Sequence, residues 1–155
     1  MTRTAERGSV SIEVAVLAPA FIALMVLAGV VGRSAVAAEA LDAAAHDAAR
    51  AASISRDSTT AREKALKAAQ AQLDWHGLAC TNNLKPEFTG RSPGNAASFD
   101  DAFKSSVGSN ATVTVTIRCT VSFKDITLDV LPGMEIEKEI SAQFTSPLDR
   151  YRSRQ

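Results

Sequence analysis

The 155-residue chain is short of most things that chemistry or nucleic acid would need. It has no net charge, since 17 basic side chains cancel 17 acidic ones, and its pI is near 6.7. A basic face able to displace counterions from a phosphate backbone is therefore not expected. Aromatic residues make up 5 % of the chain, which leaves little to stack bases on. There is no Gly-rich phosphate loop, no nucleophile elbow and no Cys-x-x-Cys pair. His46 lies in a polar helical stretch and reads as a surface residue. His76, Cys80 and Cys119 would give three soft ligands, one short of a closed tetrahedral zinc site. Glu135, Glu137 and Glu139 alternate along one strand and read as its solvated face. These absences point to a protein that is not an enzyme. No catalytic residue, cofactor, metal, nucleic acid or small-molecule substrate is expected.

Large core side chains are also scarce outside the N-terminus and the last third. Between Ala35 and Ala52, eleven of eighteen residues are Ala. A body of this size gains from a covalent staple. Cys80 and Cys119 can supply one in an oxidising compartment. Closing a loop of about 40 residues contributes about 4 kcal/mol on the chain-entropy account. The alternative is two free, buried thiols.

What the chain does have is a long apolar run near its start. Val14 to Gly32 are nineteen residues without a charge, bounded by Glu13 and Arg33. As a helix they cover about 28 Å, close to the hydrocarbon thickness of a bilayer. Arg3 and Arg7 place the basic excess on the N-terminal side, which should be cytoplasmic. The chain is thus expected to cross the bacterial cytoplasmic membrane once, with its body outside. Two other readings of this start compete. One is a secretory signal cut at the small-x-small site Ala35-Val36-Ala37. The run is longer than such signals carry, Arg33 lies close before that cut, and Glu13 stands at the head of the stretch. The other is an uncleaved signal anchor.

The order R-G-S-V-S-I-E-V-A-V-L-A-P-A-F resembles a type IV prepilin processing site. Such sites join a short basic leader, a terminal Gly, a Glu five residues on and an apolar helix. Ser9 stands where an aromatic is common. Cutting after Gly8 frees an α-amine at Ser9, one helical turn before Glu13. A carboxylate in a membrane helix costs a few kcal/mol unless paired. The new amine, in the same chain or a neighbour, can neutralise it, and the helix dipole favours negative charge in the first turns. Pro19 should loosen one turn, which neighbouring helices can repair. Ala28 and Gly32 form a small-xxx-small pair suited to close helix approach.

Beyond Arg33 the helix should continue to about Ser53. Asp42, His46 and Arg50 are spaced to support one another, and Leu41, Ala45, Ala48, Ala49 and Ala52 form a smooth face. A second helix is expected from Ala61 to Trp75, with Thr60 and Glu63 as its capping box; alternatively, one helix kinks near Asp57. Residues 77–110 carry many turn signals and read as an irregular loop, with a helical turn near Ser98–Lys104. From Ala111 to Phe123, Val113, Val115, Ile117, Cys119, Val121 and Phe123 alternate with polar residues, a strand with one buried side. A second strand should follow the Pro132-Gly133 turn, with Met134, Ile136, Ile140, Ala142 and Phe144 on one face. A short piece at Ile126-Leu128-Val130 could lie between them.

The segments G-S-V-S-I-E-V-A-V-L-A-P-A-F, D-A-A-R-A-A-S and I-S-A-Q-F-T-S-P-L-D-R-Y-R together resemble the TadE-like pseudopilins of tight-adherence (Flp-type) pilus systems. The resemblance implies a leader over 1–8, a membrane helix over 9–32 and an extracytoplasmic α+β body over 33–155 of pilin-like build. It further implies cleavage between Gly8 and Ser9 by a prepilin peptidase, and an assembly role for Glu13. Other pilin or pseudopilin subunits would be the partners. A membrane-anchored binding module with no pilus role is the competing reading.

Overall fold

In the computed structural model the described residues are 6–80, 84–123 and 137–151. The chain divides into two compact units. One comprises Met1–Ala35 with Ser122–Glu137; the other comprises Val36–Val121 with Lys138–Gln155. The element order is α1 (Glu6–Ser53), α2 (Ser58–Trp75), β1 (Lys85–Ser92), β2 (Asn95–Ser98), α3 (Phe99–Phe103), β3 (Thr112–Ser122) and β4 (Glu137–Pro147). This is the expected α+β arrangement of an apolar N-terminal helix, a second helix and a small antiparallel sheet.

The first unit is, in its described part, mainly the N-terminal portion of α1. The helix continues through Pro19, the one proline inside it. Proline there removes one backbone donor without ending the helix. The proposed pieces at Ile126–Val130, Pro132-Gly133, Met134 and Ile136 lie outside the described residues.

The second unit pairs a sheet with helices. The strand order is β2-β1-β3-β4, and the sheet is antiparallel. β3 alternates as its sequence requires: Val113, Val115, Ile117, Cys119 and Val121 are buried. Register aligns Phe88 with Val115 and Gly90 with Val113, so these share that face. On the other side Thr114 and Thr145 meet at 2.7 Å between hydroxyls, and Arg118 pairs with Glu87 at 3.3 Å.

Helices cover the apolar face. His46 of α1 lies edge-on to Phe144 of β4, with ring centroids 4.5 Å apart. The Ser146 hydroxyl donates to the Ser53 hydroxyl at 3.0 Å. His46 also pairs with its neighbour Asp47 at 3.2 Å. The Ala stripe is fully used: Ala37, Ala40, Ala44, Ala45, Ala48, Ala49 and Ala52 are all buried, with Leu41 among them. In α2, Ala61, Ala65, Ala69 and Leu73 are buried at a spacing of four, one helical face.

The two helices are separate, and the cap is not the expected Thr60–Glu63 box. Asp57 takes the position, accepting from the Thr60 N–H at 2.8 Å. A carboxylate is a strong acceptor for the orphan donors of a first turn. That backbone bond holds the Asp57 carboxyl below its ordinary pKa. At the other end, Gly77 adopts φ +65°, its N–H bonds Asp74 O, and the Leu78 N–H bonds Leu73 O. This Schellman pair stops α2 sharply after Trp75.

The irregular loop expected over 77–110 is not observed. It contains the hairpin β1–β2 and the short helix α3, capped by Ser98. The residues that read as breakers have specific places. Pro93 and Gly94 form the two-residue hairpin turn, with Gly94 at φ +81°. Pro86 sits on the part of β1 that pairs with β3 but lies beyond β2, where a missing donor is tolerated. Gly90 lets α3 press onto the strand. A Cβ there would lie 2.7 Å from both Ala102 Cβ and the Ser98 carbonyl. Phe99 packs against Phe88 and Phe103, each at 5.1 Å between centroids. Cys80 and Cys119 are joined by a disulfide, with Cα atoms 5.5 Å apart.

Arg62 of α2 clamps α3 from outside. Its guanidinium donates to both Asp100 carboxylate oxygens, at 2.9 and 2.8 Å, and lies 4.8 Å from the Phe99 ring centroid. Those bonds, with a hydrogen bond from Ser58, lower the Asp100 pKa from 3.8 to about 2.

Two outcomes follow from this packing. Gly90→Ala should lower the unfolding free energy by about 2 kcal/mol, read by urea denaturation, because a backbone carbonyl blocks the added methyl. The Asp100 contribution should be complete above its ordinary pKa and fade as pH falls toward its folded value of about 2. The melting-temperature gap between the native chain and Asp100→Asn should therefore narrow between pH 4.5 and pH 2.

Candidate functional site

The N-terminal part of α1 is the segment with a functional pattern. Gly8 and Ser9 lie within α1, described from Glu6 onward, and the described side chains begin at Ile12. Glu13 lies one turn beyond Ser9 and is exposed. It is the only ionisable residue between Glu6–Arg7 and Arg33.

The apolar side chains that follow are uncovered. Ile12, Val14, Val16, Phe21, Leu24 and Met25 are between 58 % and 74 % exposed. Val26 is the buried exception among the described residues, and an apolar helix left mostly uncovered by its own chain is suited to lipid or to other helices. One long apolar helix of this kind fits a single-pass membrane anchor.

Within that surface there is a preferred face. Val14, Leu17, Ala18, Phe21, Ile22 and Met25 line a shallow, wholly apolar groove along the helix. Val14, Ala18, Phe21, Met25, Ala28 and Gly32 are spaced 4, 3, 4, 3 and 4 residues apart. At 100° per residue they stay within about 40° of a common line. Such a seam is what a second helix packs into. The Ala28–Gly32 pair thus extends the groove toward Arg33. A Cβ added to Gly32 would meet nothing within 4 Å, so nothing inside the described chain demands a glycine there. Pro19 falls roughly opposite the seam, where its ring does not obstruct a partner. Reading Ala28 and Gly32 as an isolated pair missed the seam. The 3.5-residue spacing that reveals it was available in the sequence, but nearly every position in the run is apolar, which hides any one stripe.

The other residues singled out from the sequence lie elsewhere. Cys80 and Cys119 form the disulfide and are buried, so they are not metal ligands. Among the described residues no cluster of His, Cys, Asp and Glu is arranged to hold a metal.

Comparison with known families falls on this same helix. Residues 8–50 match the family described as TadE-like protein. The N-terminal helix carries the TadE-like signature. The match opens at Gly8, passes through Glu13 and the seam, and closes at Arg50 within α1. The TadE-like family implies a protein associated with the tight-adherence pilus, a membrane setting, and a role that is typically structural. No curated protein and no solved structure matches the chain.

If the seam serves association between helices, enlarging its smallest member should act there alone. Gly32→Leu should leave the urea unfolding of the body within about 0.5 kcal/mol of the native value. The same substitution should reduce helix–helix proximity in bilayers, measured by energy transfer between labelled copies.

Proposed function

We propose that this TadE-like protein is a minor pseudopilin, a structural or assembly component of a tight-adherence-type pilus. The observation that carries the reading is the family match beginning at Gly8, on a helix that places Glu13 one turn beyond Ser9 and then presents an uncovered apolar seam. A prepilin peptidase removes residues 1–8 on the cytoplasmic side. The helix must open locally around Gly8 and Ser9 for this.

Cleavage does two things at once. It removes Arg3, Glu6 and Arg7, and it leaves a cationic α-amine at Ser9. Glu13 is then the acidic member of a pair that did not exist in the precursor. Within one chain the pair neutralises the head of the membrane helix. Between chains it sets the axial register of one helix against the next, since a buried unpaired carboxylate is strongly disfavoured. Val14 to Gly32 hold the processed subunit in the membrane, and the seam gives neighbouring subunits a place to pack. The disulfide-closed body sits on the extracytoplasmic side, in keeping with its oxidised cysteines.

N-terminal sequencing of the protein extracted from cell membranes tests this directly. The expected mature start is Ser9. A start at Met1 would point to an uncleaved anchor, and a start at Ala38 to conventional secretion; either would overturn the proposal.

A further inference from the structure

Trp75 is the chain's single tryptophan, and it is 85 % exposed at the last position of α2. Tryptophan is highly buried on average, so a nearly bare indole on a rigid helix end calls for a partner. Within the second unit its position can be fixed. The part of α1 in this unit runs from Val36 to Ser53, and α2 runs from Ser58 to Trp75. Each is eighteen residues, about 27 Å. Four residues join them.

The two ends of this hairpin are tied to opposite ends of the sheet. Ser53, beside the turn, bonds Ser146 at the end of β4. The opposite end of α2 leads through the Leu78–Leu73 bond to Cys80, which is joined to Cys119. Cys119 lies seven residues along β3 from Thr112, about 23 Å from that strand's start. Thr114 faces Thr145, so the start of β3 and the end of β4 share one end of the sheet. Trp75 is therefore at the end away from the α1–α2 turn. That is the end where the chain enters the unit at Val36, itself 59 % exposed. Arg33, which closes the uncharged run, stands three residues before Val36 in the sequence.

We infer that Trp75 seats in the lipid headgroup layer and gives the body a second attachment to the bilayer. The inference rests on residues 9–32 spanning the membrane. An indole favours this layer because its apolar body prefers the upper acyl chains while its N–H needs an acceptor, which ester carbonyls and phosphates supply. The exposed charges near this end, Glu39, Asp74, Lys138 and Glu139, are mainly acidic, so the layer expected to take the indole is a zwitterionic one.

Because Trp75 is the only indole, the full chain reports on it without labelling. The experiment is reconstitution into phosphatidylcholine vesicles, flotation, and tryptophan fluorescence of the floated fraction. The expected result is blue-shifted emission, protection from aqueous acrylamide, and strong quenching by phosphatidylcholine brominated near the top of the acyl chain. The signal should persist on dilution with excess lipid. Floated protein whose emission stays red-shifted, open to acrylamide and unaffected by brominated lipid overturns the inference while leaving the membrane span intact. Protection that vanishes on dilution, without bromolipid quenching, also overturns it and assigns Trp75 to contact between copies. Protein that does not float overturns the membrane span itself and this inference with it.

Discussion

One backbone has to be satisfactory in two solvents, and the rest of the structure follows from that. Along α1 the backbone closes its amide bonds within the helix, apart from the donor that Pro19 lacks, and that is the condition a chain meets to cross hydrocarbon. The side chains then divide the labour. Up to Gly32 they are apolar and mostly uncovered, with Val26 the buried exception among the described residues. From Ala37 to Ala52 they are small and buried along one stripe, with Glu39, Asp42 and Arg50 turned outward and His46 at the margin against Phe144. Helical geometry is constant while the pattern of side chains changes from all-round to one-sided.

The body compensates for small core residues by contact and by constraint. Alanine removes little apolar area from water, but it lets helices lie close. Larger side chains are gathered in a few places, notably Phe88, Phe99 and Phe103 at the α3 contact and Leu41 and Leu73 in the two long helices. The disulfide closes a stretch of 39 residues that includes the whole β1–β2–α3 insertion. That insertion packs α3 on β1, and Arg62 ties it to α2.

Much of this was legible because strong periodicity leaves little choice. The alternation from Val113 to Phe123 permits only a one-sided strand, and the uncharged run ahead of Arg33 permits a long apolar helix. The hairpin at 85–98 was hidden for a physical reason. Its strands contain one large apolar residue, Phe88, so there was no alternation to read. Pro86, Gly90, Pro93 and Gly94 have meanings set by tertiary neighbours. Gly90 reads as a breaker in isolation and proves to be the point of closest approach of a helix. The cap of α2 was missed by three residues, since Asp57 and Thr60 both precede a helical pattern and only the bond to the Thr60 N–H distinguishes them. On the candidate site, Gly8, Glu13 and the small pair were visible in the sequence, whereas the continuous seam joining Val14 to Gly32 needed a helix to be drawn.

The close fit of Gly90 under α3 has a wider meaning when set beside the buried alanines. Most protein cores are damaged by truncation, because a shortened side chain leaves a void. Here many core positions are already at or near the smallest side chain available, so there is little left to remove. The interior is bounded from above in volume. Its vulnerable direction is growth: a single added methyl group can find a backbone in its way. Sequence drift in this body is therefore confined by a ceiling on size, while hydrophobicity as such is only loosely constrained.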